Sequence, residues 1–417
     1  ASINFPDSLG LLYSSFTYYL GFKVNSGEYK MMGLAPYGDK SSTEFKTFKR
    51  KITEKLIDIK EDGSFHLDQK FFAYSKGQKM CNDSMWYDLF NLKKRAPEES
   101  IAMAHCNLAL AIQKVMEIVL LKLSRTALSK TGSSNLCLAG GVALNCVANG
   151  KINRVVEVEN LFITPASGDA GGAVGAAYAT HYLHFNQENK ISTQPWNPYL
   201  GPEYSNEEIL PLIKNKLNYE HFQDFEKLTL EVATLISNGQ TIGWYQGRTE
   251  FGPRALGNRS IIADPRNQEM QLNLNLKIKG RESFRPFAPV VLEEDAHDYF
   301  DIKTVSPYML LVDQLKNKWL TNLPEDYNGL DINQKLYLTK SEFPAITHVD
   351  LSARIQTVSS SNNYKFHTLL KAVKKVTGHG MLINTSFNVK DEPIVNHPKD
   401  AIQCFLKTDL DLLVINN

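Results

Sequence analysis

Apolar residues recur at Ile101, Ala104, Leu108, Ile112, Val115, Val119 and Leu123. That spacing predicts one long helix with a single buried face. Short apolar runs bounded by glycine and proline follow it and predict strands at 135–139 and 161–165. Each is succeeded by a glycine-bearing loop and a helix, starting at 142 and spanning 173–183. Strands alternating with helices predict an α/β sheet whose ligands sit beyond the strand C-termini. The pattern fades over 186–222, where Gln194-Pro-Trp-Asn-Pro198 marks a linker, with a short helix at 207–217. Further strands are expected at 241–246, 260–263, 309–312, 354–358, 382–386 and 412–415. Helices are expected at 366–376, closed by Gly378, and at 399–406 behind Pro398. The stretch 316–342 reads as a polar surface excursion. The expected organisation is one unit over 1–190, a linker over 191–222 and a second unit over 223–417.

Bulk composition narrows the function classes. The chain has 417 residues, 46 basic against 45 acidic, for a net charge of +1. It therefore has no general pull toward nucleic acid or acidic membranes. No apolar run reaches the roughly 18 residues needed to cross a bilayer. The start, Ala1-Ser-Ile-Asn-Phe-Pro6, shows no signal peptide, and its lack of an initiating Met suggests processing or a fragment. Five scattered cysteines without CxxC spacing point to reduced thiols and a cytoplasmic location.

Against that neutral background one segment is strongly basic. Arg248, Arg254, Arg259, Lys277, Lys279, Arg281 and Arg285 fall within a stretch rich in glycine and proline. Guanidinium forks match phosphate oxygens, and glycines let the backbone approach a ligand. The expected ligand is a phosphorylated metabolite. Lys279-x-Arg281, Ser386-x-Asn388 within Asn384-Thr-Ser-Phe-Asn388, and Arg354 within His348-Val-Asp-Leu-Ser-Ala-Arg-Ile-Gln356 add polar groups at strand ends. Earlier in the chain, Gly140-Gly141 opens a helix whose Asn145 and Asn149 share a face. This unit reads equally as a nucleotide loop or as a structural turn. Asp169, next to Gly168 in Ser167-Gly-Asp-Ala-Gly-Gly172, is either a metal ligand or the N-cap of the following helix. His181 and His184 read as surface residues, lacking a third ligand nearby.

These pieces, in this order, resemble the O-carbamoyltransferases of nodulation-factor, cephamycin and aminoglycoside biosynthesis. Phe5-Pro-Asp-Ser-Leu-Gly-Leu-Leu-Tyr13, Gly27-Glu-Tyr-Lys-Met-Met-Gly-Leu-Ala-Pro-Tyr-Gly38, both glycine loops, both basic segments and Asn384–Val395 carry the resemblance over nearly the whole chain. It implies a partial actin-like (ASKHA) transfer domain followed by a YrdC-like domain that makes carbamoyl-adenylate from carbamoyl phosphate and ATP. Lys279, Arg281, Arg354, Ser386 and Asn388 would bind carbamoyl phosphate and the nucleotide phosphates. Gly140, Gly141, Asn145 and Asn149 would hold the adenylate, with Gly168, Arg248, Arg254 and Arg259 also at the nucleotide. Asp169 would be a ligand to Fe(II) or a similar ion, and Mg2+ would accompany ATP. The acceptor would be a hydroxyl of a sugar-like molecule or natural product.

One departure qualifies this expectation. The family begins with a further stretch, on the order of 150 residues, bearing a His-x-x-x-His pair. The chain has no such motif, so it is expected to be a C-terminal portion with a half-built transfer site, prone to self-association. Competing expectations are a threonylcarbamoyl-adenylate synthase of tRNA modification and a nucleotide-binding scaffold without turnover.

Overall fold

A computed structural model describes residues 2–188, 196–214 and 216–417, apart from the side chain of Lys277. The first residues of the expected linker, 191–195 with Gln194 among them, lie outside the described residues. The chain divides into two units. The first runs up to Phe162 and also takes in Asn322–Leu338 and His348–Asp350. The second comprises Ile163–Thr321, Thr339–Thr347 and Leu351–Asn417. The division thus falls inside the second predicted strand, ahead of position 190, and part of the polar excursion belongs to the first unit.

In the first unit, α1 (Leu9–Tyr19), α2 (Glu28–Leu34), α3 (Thr43–Lys51) and α4 (Asp83–Phe90) precede the predicted long helix, α5 (Met103–Thr131). The last of these runs 29 residues and stops at Gly132 in the left-handed conformation. A small hairpin, β1 (Ile57–Ile59) and β2 (Phe65–Leu67), lies between α3 and α4. The core is aromatic where α1 meets α4. Trp86 packs on Phe16 with ring centroids 4.6 Å apart and on Tyr19 at 5.0 Å, and its Nε1 donates to the Phe71 carbonyl. β3 (Asn135–Leu138), α6 (Cys146–Val155) and β4 (Asn160–Ile163) follow, with β3 and β4 forming a two-stranded sheet. The helix expected from Val142 is split into a 3-10 turn over Gly141–Leu144 and α6, because Asn145 caps a new start.

The second unit opens with α7 (Gly171–Ala179), α8 (Asn206–Ile213) and α9 (Phe225–Ser237). Its strands are β5 (Ile242–Tyr245), β6 (Arg259–Ala263), β7 (Ala288–Leu292), β8 (Leu311–Gln314), β9 (Ser352–Val358), β10 (Met381–Ser386) and β11 (Leu412–Ile415). Between them lie α10 (Met270–Asn273), α11 (Ala296–Tyr299), α13 (Tyr364–Thr377) and α14 (Pro398–Leu406), whereas α12 (Ile332–Tyr337) returns to the first unit. The seven strands form one mixed sheet in the order β11-β5-β6-β10-β7-β9-β8. Only β11–β5 and β7–β9 are parallel. A core of Trp244, Ile262, Val290, Leu382 and Val358 from the sheet packs under Val232, Ile236, Phe366, Leu369 and Leu370 of α9 and α13. The chain is thus mixed α/β, as expected. β10 sits at the centre of the sheet, and its C-terminal end is where the polar groups gather.

Candidate functional site

A strand presents alternate residues to one face. On β10 this puts Asn384 and Ser386 together, opposite Ile262 and Ser260 of β6, with Ala288 of β7 beside Asn384. The apolar half of that face lies beneath α9 and α13, and the polar half lies beyond it. Val290 of β7 pairs with Gln356 of β9, and the Asn384 Nδ2 donates to Gln356 Oε1 at 2.7 Å. Arg354, two residues from Gln356 on the same strand, shares its face.

Lys279 reaches this end from the turn of π-helix that extends α10. Its Nζ donates to the Ser386 carbonyl (2.6 Å), Ser386 Oγ (3.3 Å), the Asn388 carbonyl (2.8 Å) and Asn388 Oδ1 (2.6 Å). Ser386 Oγ donates in turn to Asn388 Oδ1 at 2.7 Å. Lys279 is buried, and burial together with Arg281 and Arg285 pushes its pKa well below that of an ordinary lysine. Arg281 is held by its Nε, which donates to Asn275 Oδ1 at 2.6 Å, and its guanidinium lies 4.5 Å from the Phe287 ring centroid. Burial first, then Arg285 and Arg354, pushes its pKa well down, with Glu282 opposing. Lys279, Arg281, Arg285 and Arg354 are therefore close enough to repel one another in a poorly solvated place. Like charges gathered in this way are stabilised by a bound anion.

The arginines of the basic loop between β5 and β6 differ in burial. Arg259 is fully buried, and its guanidinium donates to the carbonyls of Gln246, Asn258, Pro202 and Gly247 while lying 3.6 Å from the Tyr245 ring centroid. It ties the loop to β5 instead of facing a nucleotide. Arg248 is exposed, with one contact to the Leu200 carbonyl, and Arg254 is half-buried. Glu250 is the loop's organiser: its Oε1 accepts from the backbone N–H groups of Leu256, Asn258 and Arg259. Burial pushes its pKa up, opposed by the Asn258 and Leu256 donors and the Arg259 charge. One glycine is decisive for the shape of the loop. Gly257 has φ +108°, and a Cβ there would lie 2.1 Å from the Phe366 ring.

In the first unit, Gly140 has φ +93° and open space around it, as does Gly141. Asn145 is turned inward. It caps α6 through Ala148 N–H and makes a reciprocal amide pair with Gln113 of α5, both bonds 3.1 Å. Asn149 Nδ2 donates to the Ala143 carbonyl. These contacts give the two asparagines a structural task, alongside the open glycine turn.

Asp169 is exposed beside Gly168, and the N-cap of α7 is Ala170 without a side-chain cap. Among the described residues no group of three His, Cys, Asp or Glu side chains could hold a metal ion. The residues present do not fit the Fe(II) site that the resemblance implies, because one carboxylate is not a ligand set. His181 and His184 are both exposed. Of the expected site residues, Lys279, Arg281, Arg354, Ser386 and Asn388 come together. Asn275 and Gln356 complete the arrangement. Sequence reading passed over Asn275, whose signal was only its place six residues before Arg281.

A mixed α/β unit with cations gathered at central strand ends is an arrangement suited to holding anions. Comparison with known proteins gives the family. A family model described as carbamoyltransferase N-terminus matches residues 1–178, and one described as carbamoyltransferase C-terminus matches 233–417. The chain belongs to the carbamoyltransferase family, a family of transferases. It is 48% identical to an uncharacterised protein of Synechocystis, over all of this chain and 67% of that protein. It is 36% identical to nodulation protein NolO of Bradyrhizobium diazoefficiens, over 99% of this chain and 69% of the relative. Nodulation protein NolNO of Sinorhizobium fredii is 35% identical over 99% of this chain, which spans 55% of that relative. Because the N-terminus model also matches, the expectation of a C-terminal portion alone is corrected: both family regions are represented. A solved structure of full-length HypF overlaps 48% of this chain at TM-score 0.29 and 16% identity, too distant to support a fold assignment. Among the described residues no helix is long and apolar enough to cross a membrane.

Proposed function

We propose that the second unit is a YrdC-like module that forms carbamoyl-adenylate from carbamoyl phosphate and ATP. The first unit, as part of an actin-like transfer domain, would pass the carbamoyl group to a hydroxyl of a sugar-like or natural-product acceptor. The observation that carries this reading is the gathering of Lys279, Arg281, Arg285 and Arg354 at the end of β10, where Lys279 bonds Ser386 and Asn388 and where burial first, and neighbouring cations second, lower the pKa values of Lys279 and Arg281. Membership in the carbamoyltransferase family supplies the group to be moved.

The chemistry balances with one water. Hydrolysis of carbamoyl phosphate gives phosphate and carbamate. A carbamate oxygen then attacks the α-phosphate of ATP and expels pyrophosphate. Both steps move negative charge among phosphoryl oxygens, which fixed cations stabilise best in the transition state. Arg281, braced by Asn275 and Phe287, is preorganised for that role. Ser386 and Asn388, ordered by Lys279, would offer the hydroxyl and amide contacts. Mg2+ accompanying ATP would neutralise its phosphates.

Pyrophosphate release from ATP, with and without carbamoyl phosphate, tests the reading. Release should depend on carbamoyl phosphate and fall by at least ~100-fold in Arg281→Ala. A folded, ATP-binding protein that releases none would reduce this chain to a nucleotide-binding scaffold.

A further inference from the structure

Asn384 is 1% exposed, and its Oδ1 is buried without a hydrogen-bond partner. Its orientation is not arbitrary. The Leu256 carbonyl, which can only accept, takes the Nε2 of Gln356 at 2.8 Å. That leaves Gln356 Oε1 as an acceptor, and it receives Asn384 Nδ2 at 2.7 Å. The second Nδ2 proton goes to another fixed acceptor, the Ala255 carbonyl, at 3.3 Å. Two backbone carbonyls thus lock the polarity of both amides, and turning Asn384 over would set oxygen against oxygen. What Asn384 has left to offer is an acceptor.

Its place gives that acceptor a meaning. Asn384 and Ser386 share one face of β10, a single strand repeat apart, roughly 6.8 Å between Cα atoms. Arg354 lies on the matching face of β9, two residues from Gln356. A small ligand whose phosphate is held by the cations beside Ser386 would have its far end near Asn384. In carbamoyl phosphate that end is an amino group, which carries two N–H donors and no acceptor of comparable strength. Ala288, beside Asn384 in the neighbouring strand, adds little bulk there.

We infer that Asn384 Oδ1 accepts a hydrogen bond from the carbamoyl amino group and so selects carbamoyl over acyl phosphates. Gln356 is a positioning residue that acts through Asn384. This rests on the proposed use of carbamoyl phosphate by the second unit. Acetyl phosphate, with a methyl group in place of the amine, would leave the acceptor unpaired and be rejected.

Calorimetric titration of the whole chain with carbamoyl phosphate, acetyl phosphate and inorganic phosphate tests the inference directly. The unmodified protein should bind carbamoyl phosphate at least ~10-fold tighter than acetyl phosphate. Asn384→Ala should bring that ratio near one while inorganic phosphate binding, which reads only the cations, changes less than about 2-fold. Gln356→Met, which removes one of the two acceptors that fix the Asn384 amide, should lower the ratio in the same direction. Equal binding of the two acyl phosphates by the unmodified protein overturns the inference without needing any variant. So does an Asn384→Ala protein that keeps the original ratio. Pyrophosphate release separates the two levels. Loss of the adenylation reading appears as no release with the binding ratio intact, whereas loss of this inference appears as a ratio near one even when release occurs.

Discussion

Four acceptors surround Lys279 Nζ, one more than the ammonium has protons. It therefore orders Ser386 and Asn388, and under the proposed function anion contact would fall to the arginines. Lys279→Met should depress carbamoyl phosphate-dependent pyrophosphate release by at least ~10-fold, and Lys279→Arg should rescue it poorly because a planar fork cannot serve the same acceptors. Stability at the residue scale is concentrated elsewhere. Arg259→Ala would strip donors from four carbonyls and leave the Tyr245 ring uncovered. A loss of about 3 kcal/mol in urea unfolding is expected. Lys340 carries a pH signature, since burial lowers its pKa to about 8. An unfolded lysine keeps its proton to about pH 10.4. Between these values the unfolded chain binds more protons, so stability rises with pH across that window, by roughly 3 kcal/mol at most. Below pH 8 both states hold the proton and the penalty is fully present. Lys340→Met should flatten this slope, and parallel slopes in variant and parent would refute the assignment.

The loop between β5 and β6 works as an element, not as a set of arginines. Gly257→Ala would place a methyl inside the Phe366 ring and strain a left-handed φ, so loss of the loop's order and about 3 kcal/mol of stability is expected. Much of the fold was legible beforehand. The 3.6-residue period marked α5, apolar runs marked β3, β4, β5, β6 and β9 to β11, and Gly378 closed α13 as expected. β7 was not legible. Pro289 argues against a central strand, yet β7 lies between β10 and β9, with Pro289 opposite Ile383. Tertiary pairing overrode the local signal. The same holds for the site. Lys279, Arg281, Ser386 and Asn388 stand out by residue type and spacing. Asn275, Gln356 and the acceptor end of Asn384 acquire roles only from register and from neighbours 6, 28 or more residues away. Arg259 illustrates the converse, a cation whose composition suggests a ligand and whose contacts are backbone carbonyls.

At the scale of the whole molecule, sequence order and compact units do not coincide. Lys335 Nζ donates to the Asn328 and Tyr37 carbonyls, and His348 Nε2 meets the Gly33 carbonyl at 2.9 Å, all within the first unit. A fragment ending at residue 190 lacks Lys335 and His348 and should melt at lower temperature, or less cooperatively, than the first unit in the full chain. Circular dichroism of the fragment checks this, and an unchanged transition would contradict it. The helix α7 is apolar, and none of its residues is buried; Tyr178, Leu183 and Phe185 in and after it are exposed. Concentration-dependent self-association that resists high salt is expected by light scattering, and Leu183→Glu should reduce it.

Asn363 caps α13 through Phe366 N–H, and its Nδ2 donates to Asn258 Oδ1 and to the Tyr199 hydroxyl, which donates to the Leu256 carbonyl. The cap of a core helix and the floor of the basic loop are thus one hydrogen-bonded body. In deuterium exchange the Leu256 and Asn258 amides should open on the same timescale as the first turn of α13, although they belong to a surface loop. Ligand-induced slowing at the loop would then reach the helix, making its protection a remote gauge of site occupancy.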